Sequence, residues 1–304
     1  MSKKITRRVF IKQGAVLTGG LLGGMALGQP LPAGAATPDI FVVRGTNYYD
    51  NTIQAVQGLG GMDSIVSRGS RVGLLVNLAF LNIGAHVHPD MTIAIARMCY
   101  EAGAKEVTLI KAPPWGYFRR ARSDSEAKEV IQELKFPSKV YKKISVKGGI
   151  ALKQAEIMQD LLDCDVFINT AIVKSHSDTF ITAVLKNMMG SAPFSTCINF
   201  HKGGLFNGDP NYLAQSIADI NLIRKPDLCV MDATEVLATG GPHGPGLLKR
   251  PHKVFAGRDP VAVDTYATRL LGIDPKEILM LDYAFRHGLG QKNLNKVLIK
   301  EIVT

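Results

Sequence analysis

A lysine, a serine and a histidine, Lys174-Ser175-His176, stand directly behind the apolar, β-branched run from Val166 to Val173. Such a run predicts a strand buried on both faces. Charge at the end of a fully apolar strand needs a partner, and in open α/β sheets ligands sit outside the carboxyl ends of strands. Lys174 and His176 are therefore the first site candidates, the amine to neutralise an anion and the imidazole as general acid or base. Ser177 or Asp178 is expected to cap a helix that runs to Met189 and stops at Gly190. On that helix Phe180, Ile181, Val184, Leu185 and Met188 share one arc, and Thr179, Thr182, Lys186 and Asn187 the other. Read alone, the polar arc fits a solvated helix face as well as a second set of site residues.

Other polar groups fall at strand ends or in Gly-rich loops. His86-Val87-His88 places two imidazoles at a spacing that can chelate a metal, but no third ligand lies nearby and His88 also suits a helix cap before Pro89. No metal ligand is assigned. Asp232 closes an apolar strand, Leu228–Asp232, and leads to the loop Thr239-Gly240-Gly241-Pro242-His243-Gly244-Pro245-Gly246. That loop brings backbone N–H groups close to a ligand, yet it has neither P-loop nor Rossmann spacing, so it supports no nucleotide. Asp259 reads as an N-cap. Asp264, among Val261, Val263 and Ala267, is a buried carboxylate expected to pair with a lysine or histidine of the site. Cys99, Cys164, Cys197 and Cys229 form no C-x-x-C pair, which argues against a cysteine-ligated cluster or zinc ribbon.

The elements that must position these groups alternate between strand and helix. Strands are expected at 40–44, 71–79, 106–112, 228–232 and 254–256, with an edge strand at 297–302. Helices are expected at 52–59, from Pro89 to Ala102, at 151–162, from Pro210 to Arg224, from Asp259 to Leu271, and after Asp274. Residues 191–209 read as a loop holding Cys197, His201 and Gly203-Gly204. Such alternation predicts an α/β fold with a mostly parallel or mixed sheet flanked by helices. Residues 113–150 interrupt it and mark the expected boundary if there are two lobes. They carry the lone Trp115, and Tyr117 to Lys147 holds nine Lys/Arg against four Asp/Glu. A solvated surface is the favoured reading of that segment, ahead of a basic flap over an anionic ligand.

Residues 1–36 carry Arg7-Arg8 with Phe10 and Lys12, then a Gly-diluted apolar stretch from Gly14 to Gly28, then Ala33-Gly34-Ala35-Ala36. This is the layout of a twin-arginine signal peptide with its cleavage site. The apolar stretch is shorter than the roughly 20 residues a spanning helix needs. The expectation is export to the periplasm through the twin-arginine translocation machinery as an already folded chain. Removing those residues lowers the formal charge from +10 to +5, which takes away the main support for nucleic-acid binding. No later stretch predicts a membrane span.

Several stretches together resemble one family. They are I-N-T-A-I-V-K-S-H (168–176), L-K-N-M-M-G (185–190), the isolated His201 and I-A-D-I-N-L-I-R-K-P-D-L-C-V-M-D (217–232). G-G-P-H-G-P-G (240–246) and R-D-P-V-A-V-D-T-Y-A-T-R-L-L-G (258–272) follow, and V-N (76–77) with P-D-M-T-I-A-I-A-R-M-C-Y-E-A-G-A-K-E-V (89–107) comes before. In this order they resemble the domain of unknown function 362 family. The resemblance implies one shared site of Lys174, His176, Lys186, Asn187, His201, Asp232, Gly241, Asp259 and Asp264. Many members add a ferredoxin-like four-cysteine module, and no such spacing occurs in this sequence. Lys174, His176, Lys186, His201, Asp232 and Asp264 are the catalytic candidates; Asn77, Asn187, Gly241, Gly246 and Asp259 are the ligand- or cofactor-binding ones. The expected function is an exported enzyme acting on a small anionic or carbonyl-bearing substrate or on a bound cofactor of unknown kind. The reaction class stays open between oxidoreductase and lyase-type acid/base chemistry. The alternative is a non-catalytic exported binding protein for an anion, a metal or a tetrapyrrole-like ligand.

Overall fold

The computed structural model describes residues 37–201 and 209–304. Seven strands make the central sheet: β1 (Ile40–Arg44), β2 (Arg71–Val76), β3 (Glu106–Leu109), β6 (Val166–Ile172), β9 (Leu228–Ala233), β12 (Lys253–Gly257) and β13 (Ile299–Val303), in the order β13-β1-β12-β9-β6-β2-β3. β12 pairs antiparallel with both β1 and β9, and every other pairing in the sheet is parallel. Six strands therefore point one way, and the fold is α/β with a mostly parallel sheet flanked by helices.

Strand β6 lies at the centre with all seven residues buried. Phe167 and Ala171 face one apolar layer with the helices Pro210–Ile220, Pro260–Leu271 and Leu279–Arg286. Ile168 and Ile172 face the other, with the helices Tyr48–Gln57 and Pro89–Glu101. A strand covered on both faces has no polar side to show, which is why its sequence is a continuous apolar run. Residues 113–150 fall within one compact unit, Ala36–Thr304. They supply a helix, Ser125–Glu133, and β4 (Tyr141–Ser145), which pairs with β5 (Gln154–Met158).

Three segments depart from the expected elements. The helix expected from Ser177 to Met189 is instead a hairpin, β7 (Lys174–His176) with β8 (Phe180–Thr182), then a single turn Val184–Asn187 and a 3-10 turn Met188–Ser191. Asp264 decides the late start, because its carboxylate accepts from the backbone N–H of Val184 at 2.8 Å and of Leu185 at 2.9 Å, holding the first turn there. The helix expected at 151–162 is β5 followed by the short helix Gln159–Asp163. Here Ala155 and Ile157 are buried between exposed Gln154 and Glu156, a period of two. The expected loop after Ser191 contains the helix Phe194–His201.

Smaller shifts have local causes. Asn47 caps the first described helix at Tyr48 rather than Thr52, and the helix begun at Pro210 ends at Ile220 rather than Arg224. Asp274 caps a 3-10 turn, Pro275–Glu277, ahead of the helix Leu279–Arg286.

Among the described residues, no helix is long and apolar enough to cross a membrane. Cys99 and Cys229 are buried, Cys164 and Cys197 are half-buried, and all four are free thiols.

Candidate functional site

Because β2, β3, β6 and β9 are parallel, their carboxyl ends meet at one edge of the sheet. Asn77 follows β2, Lys111 follows β3, Lys174 follows β6, and Asp232 lies in the last turn of β9. The shared direction of four strands is what gathers residues so far apart in sequence.

A buried amide ladder forms the floor. Asn77 Nδ2 donates to Asn187 Oδ1 at 3.0 Å, and Asn187 Nδ2 donates to Asn169 Oδ1 at 2.8 Å and to the Thr170 carbonyl at 3.1 Å. Lys174, 1 % exposed, extends the ladder through Nζ, which donates to the Ala85 carbonyl at 2.6 Å and lies 3.4 Å from Asn77 Oδ1. Its ammonium thus ties the loop after β2 to the end of β6. Burial, with help from Lys186 and Lys111, lowers its pKa to about 7.

Above the floor, Lys186 is half-buried, and its Nζ donates to the Met189 thioether at 3.7 Å. Among the described residues it forms no ion pair. Burial lowers its pKa to about 8; Cys197 and Asp178 oppose the shift and Lys111 adds to it. Lys111, also half-buried, reaches this cluster: a β-carbon placed on Gly190 would lie 3.6 Å from its side chain. Three lysines thus gather at one place, with the Asp178 carboxylate acting on Lys186, and the cluster attracts anions. The sequence reading missed Lys111, although E-V-T-L-I-K carries the same signal as V-F-I-N-T-A-I-V-K, a strand ending on a lysine.

Two imidazoles lie beside the lysine cluster. The rings of His176 and His201 stack at 6.3 Å between centroids and 28° between planes. His201 Nδ1 lies 2.8 Å from the Cys197 carbonyl, so it carries the proton and leaves the Nε2 lone pair free. His176 Nδ1 accepts from the Asp178 amide at 3.1 Å. Burial and then Lys186 lower the His176 pKa to about 2, and burial lowers that of His201, so both rings are neutral at pH 7. The imidazole nitrogens and Asp178 carboxylate oxygen available as ligand atoms lie within 4.8 Å of one another, the spacing of a three-ligand metal site. No such grouping is visible in the sequence, where Asp178 reads as a possible helix cap and His201 as part of a loop.

The remaining candidates support the cleft or lie outside it. Gly241 packs on β7: its amide donates to Ser175 Oγ at 3.1 Å, and a β-carbon there would meet the Ser175 carbonyl at 1.8 Å. Gly246 closes the same loop against Thr239, where a β-carbon would meet the carbonyl at 1.9 Å. Asp232 accepts from the backbone amides of His88 and Thr234, both at 3.0 Å, and burial raises its pKa to about 6. It anchors the turn before the helix Pro89–Glu101. His88 caps that helix by accepting from the Asp90 amide, and His86 Nδ1 is held at the Asn82 carbonyl, so the pair does not converge as a chelate.

Asp264 pairs with two amides rather than with the expected lysine or histidine, and burial raises its pKa to about 7. It acts beneath the site by fixing the turn that carries Lys186 and Asn187. Asp264→Asn keeps one acceptor oxygen and turns an NH2 toward the other amide, so a loss of about 2 kcal/mol in urea unfolding is expected. Asp259 lies away from the cleft. It follows β12, whose reversed direction sends it to the opposite sheet edge, where it caps the helix Pro260–Leu271 and accepts from the Gln291 amide at 2.7 Å.

The chain is 27% identical over 249 residues to the thylakoid-associated protein sll1697 of Synechocystis sp., covering 77% of this chain and 73% of that one. Among solved structures it is similar to the lactate racemase apoprotein from Thermoanaerobacterium thermosaccharolyticum, with a TM-score of 0.45 and 11% identity. That match covers 72% of this chain, which spans about half the length, 54%, of the racemase. The family model described as Domain of unknown function (DUF362) matches residues 72–269, which include five of the seven strands of the sheet and every residue of the lysine and histidine cluster, and the chain belongs to that family.

Proposed function

We propose that this protein binds a small carboxylate or similar oxyanion at the Lys111–Lys174–Lys186 cluster and moves a proton on it with His201. The observation that carries this reading is Lys186, a half-buried amine that forms no ion pair among the described residues and acts on His201, an imidazole with a free lone pair. Such a lysine is costly to bury unless a ligand supplies the opposite charge. A neutral His201 is a competent base, and the ammonium groups would stabilise the charge that develops on the substrate oxygen.

The test is solvent exchange. The full chain, incubated in D2O with a panel of 2-hydroxy and 2-oxo acids, is expected to catalyse exchange of the proton next to the carboxylate or carbonyl, seen by NMR. His201→Ala should abolish the exchange while stoichiometric binding persists. Binding without exchange in the wild-type protein would point to the non-catalytic alternative, and absence of both would refute the reading.

The route out of the cytoplasm is a separate proposal. Residues 1–36 lie outside the described residues, and the case for twin-arginine export rests on Arg7-Arg8 and the small-residue stretch Ala33–Ala36. Fusing residues 1–36 to a folded reporter should send it to the periplasm, and changing both arginines to lysine should stop it. Export indifferent to that change would refute the assignment.

A further inference from the structure

We infer that His176, Asp178 and His201 form a binding site for one divalent first-row transition-metal ion. Their ligand atoms lie within 4.8 Å of one another, and they come from two elements that the fold brings face to face, the β7–β8 hairpin and the end of the helix Phe194–His201. Two imidazole nitrogens and one carboxylate oxygen suit zinc, cobalt, nickel or iron(II) better than calcium or magnesium, which prefer all-oxygen sites. Three protein ligands leave coordination positions open, as in catalytic rather than structural sites.

The surroundings are those of a metal ligand set. His201 already carries the outer contact that metal-bound histidines use, Nδ1–H to a carbonyl, here Cys197 at 2.8 Å, which leaves Nε2 as the ring's ligand atom. Asp178 accepts from Ser177 Oγ at 2.8 Å and has no lysine or arginine ion pair among the described residues. His176 spends Nδ1 on the Asp178 amide at 3.1 Å. A metal at Nδ1 replaces that contact, and a metal at Nε2 moves the proton to Nδ1 and breaks it. Either way the Asp178 amide is released, which gives the site its own spectroscopic marker.

Charge then couples the metal to the anion of the proposed function. A dication beside Lys186, which acts on both imidazoles, meets repulsion that a single carboxylate offsets only in part. A small carboxylate filling an open coordination position would bridge the metal to the lysine and relieve it. By linkage, each ligand tightens the other by the same factor. This coupling rests on the anion-binding half of the small-anion reading, because a metal on His201 Nε2 occupies the lone pair that proton transfer uses; the metal site itself rests on neither half.

The experiment titrates Co2+ alone, pyruvate alone, and Co2+ with pyruvate into metal-free full chain, read by calorimetry, by cobalt visible absorption and by the Asp178 amide resonance. One equivalent of Co2+ is expected, with a shift of that resonance. Affinity should fall at least about tenfold in His201→Ala and in Asp178→Ala, and stay unchanged in Asp282→Ala, whose carboxylate sits in a surface pair with Arg286 and Lys292. Pyruvate should tighten Co2+ by about tenfold. No stoichiometric cobalt, or equal affinity in the two site variants and wild type, overturns the metal site. Cobalt bound with no pyruvate binding in any arm overturns the small-anion reading and leaves the metal site standing; pyruvate bound without cobalt does the reverse.

Discussion

Lys186→Met is expected to weaken binding of a small carboxylate at pH 7 by roughly 30-fold, the worth of a charge-assisted contact in a partly dry site, and to raise thermal stability in the same protein. Methionine keeps the length and the apolar stem, so the packing against Met189 persists while the charge disappears. The pKa of Lys186 falls from the ordinary 10.5 to about 8 in the folded chain. A lysine whose pKa is lowered on folding costs stability wherever it is charged in both states, which here means below pH 8. That cost fades as pH rises from 8 to 10.5 and is gone above. The variant should therefore gain on the order of 2 kcal/mol at pH 7, after allowing for screening at a half-buried amine, and nothing at pH 10.5 or above. Loss of binding together with gain of stability separates a functional lysine from a structural one. Loss of stability at pH 7, with binding intact, would place Lys186 among the scaffold residues.

Asp219→Ala is the largest purely structural loss expected, about 3 kcal/mol in urea unfolding. This carboxylate is fully buried, and Oδ2 accepts from the amides of Ile150 at 2.9 Å, Ala151 at 2.6 Å and Leu152 at 2.8 Å. Oδ1 accepts from Gln215 Nε2 at 2.8 Å and meets His287 Nε2 at 2.7 Å. One side chain thus joins the start of β5, the helix Pro210–Ile220 and the end of the helix Leu279–Arg286. Alanine leaves the Leu152 amide unpaired in a dry place, although water can reach the two outer amides. Asp282→Ala, which removes only exposed pairs to Arg286 and Lys292, should cost under about 1 kcal/mol. Equal losses in the two variants would contradict this account of Asp219.

The seven strands of the central sheet were legible, the inner ones because burial on both faces leaves an unmistakable apolar run, and Val166–Ile172 is the clearest case. The helices that the sequence misplaced share a cause. Thr179-Phe180-Ile181-Thr182 and Gln154–Met158 contain enough spaced apolar residues to imitate a helical stripe, and only tertiary partners, Asp264 for one and β4 for the other, choose between strand and helix. The candidate site was half legible. Lys174, His176, Lys186 and Asn187 stand in one stretch of sequence and stay together in space. Lys111 joins them through the parallel pairing of β2 with β3, a relation that no local pattern encodes. Asp178 was read as a helix cap, and its place beside His201 depends on the hairpin. Asp259 kept its local role as a cap and lost its expected place in the cleft, because the direction of β12 is a property of the whole sheet.

The central claim is that Lys111 and Lys174, beyond the carboxyl ends of β3 and β6, together with Lys186 on the turn Val184–Asn187, hold a small anion. Calorimetric titration of pyruvate, a carboxylate with an adjacent carbonyl, into the full chain at pH 7 and at pH 9.5 tests it most directly. Lys186, facing Lys111, Cys197 and Asp178, is mostly charged at the lower pH and mostly neutral at the higher, given a pKa of about 8. The account predicts binding at pH 7 that is lost at pH 9.5, and lost at both in the Lys111→Met/Lys186→Met double variant. Binding of equal strength at the two pH values and in the double variant would contradict it.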